Sequence, residues 1–292
     1  MGSTPIRGTG KILVLSNNQP YLAVKIKYSR KEVIKVKVFR SWLRRIGYVF
    51  SCVLAVLTVV LFFRIPRARG KIKEICSDEK LVWNKGGRLY VSNHPSWLDQ
   101  FLSLALRLLH WGPEFLPFVA VANDSIKRIP FLKFLQDVAF LVPIERKGNS
   151  SLASSHIRKM VAILNGGHNL MIAGATGRDF KAVDGELILS PEKRKPMRRF
   201  TQLCGILAVQ PGVETIPWCV QGTENFYKEV TVKGKEEMRF SAWNFFIEFW
   251  LLGKFKVVLV YGRPLVLAGK SRSEATEIIQ SEVLSYLDLP EG

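Results

Sequence analysis

The pattern of apolar and polar positions divides the 292-residue chain into three stretches. Residues 1–45 are basic and irregular, with some strand character, and read as an arm. Residues 46–63, IGYVFSCVLAVLTVVLFF, form an 18-residue run without a charge. That is just under the ~20 residues that span a bilayer core, so residues 46–84 are expected to be a membrane-embedded helical segment followed by a basic linker. From residue 85 the pattern changes again. Short β-rich runs at 88–91, 118–122, 139–143, 169–173, 215–219 and 256–261 alternate with helical stretches near 97–110, 130–137, 150–165 and 271–287. Such alternation predicts a single α/β domain over 85–292, built around a largely buried mixed sheet.

Basic residues flank the apolar run on both sides, from Lys25 to Arg45 and from Arg64 to Lys73. The positive-inside rule therefore has little asymmetry to work with. A segment that spans with its longer basic arm inside and one that dips in with both ends on an anionic leaflet stay open. A second apolar stretch, Phe245 to Leu252, is too short to span; its bulky Phe and Trp residues are expected to pack in the core, with resting on the membrane as the alternative.

The formal charge is +19, from 43 Lys and Arg against 24 Asp and Glu. A balance this basic implies an anionic partner, either nucleic acid or an anionic membrane surface. No aromatic-and-basic RNA-binding motif or zinc finger accompanies it, so nucleic acid is not expected. Cys52, Cys76, Cys204 and Cys219 form no C-x2-C pair, and the four histidines have no zinc spacing, which predicts reduced thiols and no metal.

The chemistry-bearing stretch is Val91-Ser92-Asn93-His94-Pro95-Ser96-Trp97-Leu98-Asp99-Gln100, between a predicted strand and a predicted helix. Asn93 or His94 can cap the helix, with Pro95 in its first turn, where a missing N–H costs nothing. A neutral His94 imidazole can remove a hydroxyl proton as the oxygen attacks a thioester. The Asp99 carboxylate can fix the tautomer and stabilise the imidazolium that forms. A histidine and an aspartate five apart are also compatible with a local structural hydrogen bond, and spacing alone does not choose.

The surrounding motifs do. Asn93-His94 with Asp99 resembles the N-H-x4-D motif of the glycerolipid acyltransferases, the 1-acylglycerol-3-phosphate and glycerol-3-phosphate acyltransferase family. Asn123 to Phe131, with its Ile-Pro-Phe ending, is similar to the second motif of that family. Val142-Pro143-Ile144-Glu145-Arg146 resembles the strand that follows, and Ile216 to Gly222 the proline-containing fourth motif. Val260-Tyr261-Gly262-Arg263-Pro264 resembles the closing strand, so the likeness covers roughly residues 85–265 in order. It implies transfer of a fatty acyl group from acyl-CoA or acyl carrier protein to the hydroxyl of a lysophospholipid or related lipid, without a cofactor. His94 and Asp99 are then the catalytic pair, and Asn93, Arg146, Thr176, Gly177, Arg178 and Pro217 line the substrate site. The arginines suit bidentate contact with phosphate. It further implies an enzyme bound to an anionic membrane, its basic flanks and catalytic domain facing the cytoplasm.

One motif departs from the pattern. Where the family has F-P-E-G-T-R, this chain has Ala173-Gly174-Ala175-Thr176-Gly177-Arg178. Alanine at 175 can neither accept a hydrogen bond nor orient the arginine. Three consequences stay open: Asp179 or Glu186 takes over the acid's place, the acceptor differs from glycerol phosphate, or the protein binds lipid as a scaffold with little turnover. The basic cluster Lys193, Arg194, Lys195, Arg198 and Arg199 fits a membrane-facing edge, an anionic acceptor or a solvated loop.

Overall fold

A computed structural model describes residues 69–76, 86–96, 99–100, 102–103, 117–122, 141–144, 150–175, 177, 179, 185–232 and 235–289, and elements are numbered in chain order among these. Seven strands form the main sheet: β1 (Ile72–Cys76), β2 (Arg88–Ser92), β3 (Phe118–Ala122), β4 (Leu141–Ile144), β5 (Leu170–Ala173), β8 (Glu214–Gln221) and β11 (Val257–Tyr261). Their spatial order is β1-β11-β8-β2-β5-β3-β4. Pairing is parallel throughout except between β11 and β8. The sheet is thus mixed, as expected, and the parallel strands β8, β2, β5, β3 and β4 all end at one edge. Loops at that edge are where open α/β sheets bind ligands.

The period of two along each strand sorts its residues between the two faces. Leu89, Val91, Ile172, Cys219, Val258 and Val260 face one way, into a cluster completed by Met160 and Leu164 of α1 (Ser150–Asn165), Cys204 and Leu207 of α2 (Gln202–Ala208), and Ile279 and Val283 of α3 (Arg272–Leu287). Tyr90, Met171, Trp218, Val220, Leu259 and Tyr261 face the other way, against Leu102, Phe226, Phe245 and Phe249. Both faces are covered, which is why β2, β8 and β11 read as almost unbroken apolar runs. Helix α3 starts at Ser271, whose side chain accepts the Glu274 N–H at 3.2 Å, the Ser-x-x-Glu cap.

Two antiparallel hairpins stand apart from the main sheet, β6 (Leu187–Leu189) with β7 (Pro196–Arg198), and β9 (Tyr227–Val232) with β10 (Lys235–Phe240). The apolar stretch near 245–252 is a π-helix, Asn244–Leu251, that buries Phe245 and Phe249 in the aromatic cluster and leaves Phe246 and Leu251 exposed. Core packing is therefore what its buried half does. Strand β1 lies within the stretch read from the sequence as membrane segment and linker, and pairs in parallel with β11.

The expected N-terminal membrane-embedded helix is a correction. Among the described residues no helix is long and apolar enough to cross a membrane. The two longest of them, α1 and α3, have 16 residues each, about 24 Å of rise against a hydrocarbon core of ~30 Å. Both also turn charges to solvent, Arg158 and Lys159 on α1 and Glu274 and Glu277 on α3. Residues 46–63 themselves lie outside the described residues. The described residues form an α/β domain with a buried mixed sheet, and the membrane-spanning helix on which the expected membrane localisation rested is not among them. An uncharged run meets the needs of apolar burial of any kind, so hydropathy alone does not establish a span.

Candidate active site

Strand β2 ends at Ser92, and the next two residues turn across the C-terminal edge of the sheet. Asn93 is buried there, and its side chain is committed to the neighbouring strand. Its Nδ2 donates to the Val220 carbonyl at 2.9 Å, and its Oδ1 accepts the Val220 N–H at 2.9 Å. The side-chain amide thereby continues the β2–β8 ladder one step beyond the Ser92–Trp218 pair that closes it. Asn93→Ala would leave two buried main-chain groups of Val220 without partners. That is expected to cost roughly 2–4 kcal/mol, read as a lower midpoint in denaturant unfolding, with Asn93→Asp intermediate because it keeps the acceptor.

His94 follows, held so that its imidazole meets Asp99. Nδ1 lies 3.4 Å from Asp99 Oδ2, with the histidine side chain 16% exposed and the aspartate fully buried. The contact is long for a hydrogen bond, and Nδ1 has no other partner. Catalytic hydrogen bonds are commonly loose before substrate arrives and tighten in the reacting complex. Asp99 is itself fixed from two sides. Its Oδ2 accepts the Ser96 N–H at 2.7 Å and its Oδ1 accepts the Thr223 hydroxyl at 2.6 Å. The first is the reach-back bond of a helix start, an acid three residues on capturing an early N–H. It is this bond, rather than a side chain of Asn93 or His94, that the described residues show at the start of the helical turn containing Asp99. Burial pushes the Asp99 carboxyl above the usual carboxylate range, and His94, Thr223 and Ser96 pull against that shift.

Thr223 was not legible as a site residue, although it directly follows the fourth motif. Gly222 delivers it: the glycine has a φ of 88° and a Cβ there would run into the Lys256 carbonyl oxygen, a backbone shape and a closeness that a side chain would not tolerate. Beyond the turn, Thr223–Phe226 forms a short 3-10 helix.

The third motif lies alongside. Gly174 N–H donates to the Ser92 carbonyl at 2.8 Å and Asp179 N–H to the His94 carbonyl at 2.9 Å, which zips the loop after β5 to the loop after β2. Asp179 Oδ2 accepts the His94 N–H at 3.2 Å and Oδ1 accepts the Arg198 N–H at 3.1 Å. Burial raises its carboxyl to about 6, opposed by the Arg198 N–H and the nearby His94, with the Asp99 charge adding to the rise. Ala175 is buried in the apolar core cluster that also holds Met197 and Phe200, surroundings that would leave a glutamate desolvated. The Arg198 guanidinium lies against Gly177 and pairs with Glu186.

Among the residues expected from the sequence, then, the structure brings His94 and Asp99 together and places Asn93 next to them with its amide spent on Val220. Gly177 sits under Arg198. Pro217 lies within β8, in register with Val91 and with its carbonyl accepting the Gly262 N–H at 2.8 Å. Arg146, Thr176 and Arg178 lie outside the described residues. In the basic cluster, Lys195 donates to Gln221 Oε1 at 2.7 Å and the Lys193 N–H is held by Asp288 at 2.8 Å, while Arg198 pairs as described. Of the described cysteines, burial pushes Cys204 up to about 11 and Cys219 well above the usual thiol range, so both are inert thiols.

The family model described as Acyltransferase matches residues 72–220, just over half of the chain. The chain belongs to the acyltransferase family. The resemblance carried by the N-H-x4-D stretch is thus shown, and the His94–Asp99 pairing is consistent with general acyltransferase chemistry. A search of curated proteins finds no significant match. Among solved structures, the chain is similar to the crystal structure of the 1-acyl-sn-glycerophosphate (LPA) acyltransferase, PlsC, from Thermotoga maritima. The two are 16% identical over 88% of this chain and 96% of that one, with a TM-score of 0.44. A likeness that slight carries no substrate across to this acyltransferase.

Proposed function

We propose that this acyltransferase moves a fatty acyl group from a thioester, acyl-CoA or acyl carrier protein, to the hydroxyl of a lysophospholipid or related lipid acceptor. The observation that carries the reading is the His94–Asp99 contact at the C-terminal edge of the parallel strands. With Nδ1 turned to Asp99, Nε2 is the nitrogen left to face an acceptor hydroxyl. It takes the hydroxyl proton as the oxygen attacks the thioester carbonyl. The tetrahedral intermediate then collapses with loss of the thiolate, which receives the proton back from the imidazolium. No covalent acyl-enzyme is needed. The net charge of +19 suits a donor and an acceptor that both carry phosphates or other anionic groups.

The test is a screen of purified full-length protein with labelled acyl-CoA and acyl carrier protein against a panel of lysolipids differing in head group. Acylated product that His94→Ala does not make is the expected result. A second reading, a lipid-binding scaffold with little turnover, is favoured by the apolar burial of Ala175 where the family carries an acid. It predicts lipid association that survives His94→Ala and Asp99→Ala, with no product from any donor and acceptor. No product from any pair would sink the first reading.

A further inference from the structure

We propose that Asp179, an acid outside the family's motifs, is a positioning residue for His94, holding its main chain in place and lending negative charge to the imidazolium that forms during transfer. The inference rests on the acyl-transfer reading above. Its geometry is a two-point clamp: Asp179 Oδ2 accepts the His94 N–H at 3.2 Å, and the Asp179 N–H donates to the His94 carbonyl at 2.9 Å. Fixing both main-chain groups of one residue fixes where its Cβ points, and hence where Nε2 stands relative to an acceptor. The other carboxylate oxygen is anchored to the Arg198 N–H at 3.1 Å, so the clamp is braced from the β7 side.

Two oxygens that accept from two separate main-chain N–H groups suit a carboxylate, and the carboxylate also brings a buried charge beside the imidazole, which costs free energy unless it is used. Asp179 is only 8% exposed. The charged and titratable groups around it are His94 and Asp99 in the dyad, Arg198 with its partner Glu186 on the hairpin side, and Cys219, which itself feels Lys195 and Glu224. The Arg198 guanidinium is paired with Glu186, so it does not neutralise Asp179 outright. His94 is thus flanked by two acids, Asp99 at Nδ1 and Asp179 at the main chain. An acid directly after the third motif thus stands beside the site although position 175 has none.

The test compares wild type, Asp179→Asn and His94→Ala as full-length proteins, with initial rates of acyl transfer measured across pH 5–9. Asp179→Asn keeps the size but sets an NH2 group against one of the two N–H donors and removes the charge. We expect kcat to fall ~10- to 100-fold with KM for the thioester little changed. The acid limb of the kcat profile should also move to lower pH by about half a unit or more, because a neighbouring negative charge no longer favours the protonated imidazole. A purely structural contact would lower the rate at every pH and leave the limb in place. Asp179→Ser, smaller and able to accept one bond, provides the same comparison if the asparagine variant does not fold. Wild-type kcat and an unmoved limb in either variant, with His94→Ala inactive, overturn this inference and leave the transfer reading standing. Wild-type transfer by His94→Ala overturns both.

Discussion

His94→Ala should lower kcat for acyl transfer by ~10²- to 10⁴-fold, the range spanned by loss of a positioned general base. The expectation follows from where the ring stands. Its Nδ1 side is occupied by a buried carboxylate, and its side chain retains 16% exposure through which an acceptor can be reached. Residual rate would come from bringing donor and acceptor together on the protein, which needs no base. The fold should tolerate the change, since Nδ1 has no hydrogen bond to lose. Stability within about 1 kcal/mol of wild type is expected. Initial rates at saturating thioester, together with a denaturation curve for each protein, separate loss of chemistry from loss of fold.

Asp99→Asn should be the next largest effect, and it is cleaner than alanine. Alanine would strand the Ser96 N–H and the Thr223 hydroxyl in the interior. Asparagine offers its carbonyl oxygen to Ser96 and its NH2 to the Thr223 oxygen, so both partners keep a bond. The carbonyl oxygen can also hold His94 in the same tautomer. What is lost is the negative charge that stabilises the imidazolium, and turnover should fall by ~10²-fold or more with KM little altered. Stability should move the other way. Burial raises the folded-state pKa of Asp99 above its unfolded value of 3.8. A carboxyl raised on folding contributes stability that is complete below the unfolded value and is lost as pH rises through the folded one. The neutral amide has no such loss. Unfolding free energies measured from acid toward neutral pH should therefore show Asp99→Asn gaining on wild type across the region above pH 3.8. An active site that trades stability for charge in this way behaves as expected.

Much of the fold was legible because the buried strands announce themselves. The apolar runs at 88–91, 118–122 and 215–219 became β2, β3 and the core of β8, and helices predicted at 150–165 and 271–287 formed with nearly those bounds. Strand β1 carries little signal because Ile72–Cys76 sets two adjacent charges, Lys73 and Glu74, among its apolar residues at the edge of the sheet, a pattern that reads equally as linker. Hairpin β6–β7 escaped because its strands have only three residues each, and β9–β10 because much of it is exposed and polar. At the site, His94 and Asp99 are five residues apart and carry their own signal. Thr223 and Asp179 do not. They reach the dyad across separations of 124 and 85 residues, and only the shared C-terminal edge of β2, β5 and β8 brings them in. For Asp179, its place directly after the third motif was the available hint. The 18-residue apolar run lies outside the described residues, among which no helix is long and apolar enough to cross a membrane.

The account stands on His94 and Asp99 acting as one unit, and a double-variant cycle reads that directly. Rates of acyl transfer would be measured for wild type, His94→Ala, Asp99→Asn and the protein carrying both changes. If the carboxylate works only through the imidazole, Asp99→Asn costs its full factor in the wild-type background and almost nothing once His94 is gone. The same factor in both backgrounds, or transfer by His94→Ala at the wild-type rate, would contradict the account.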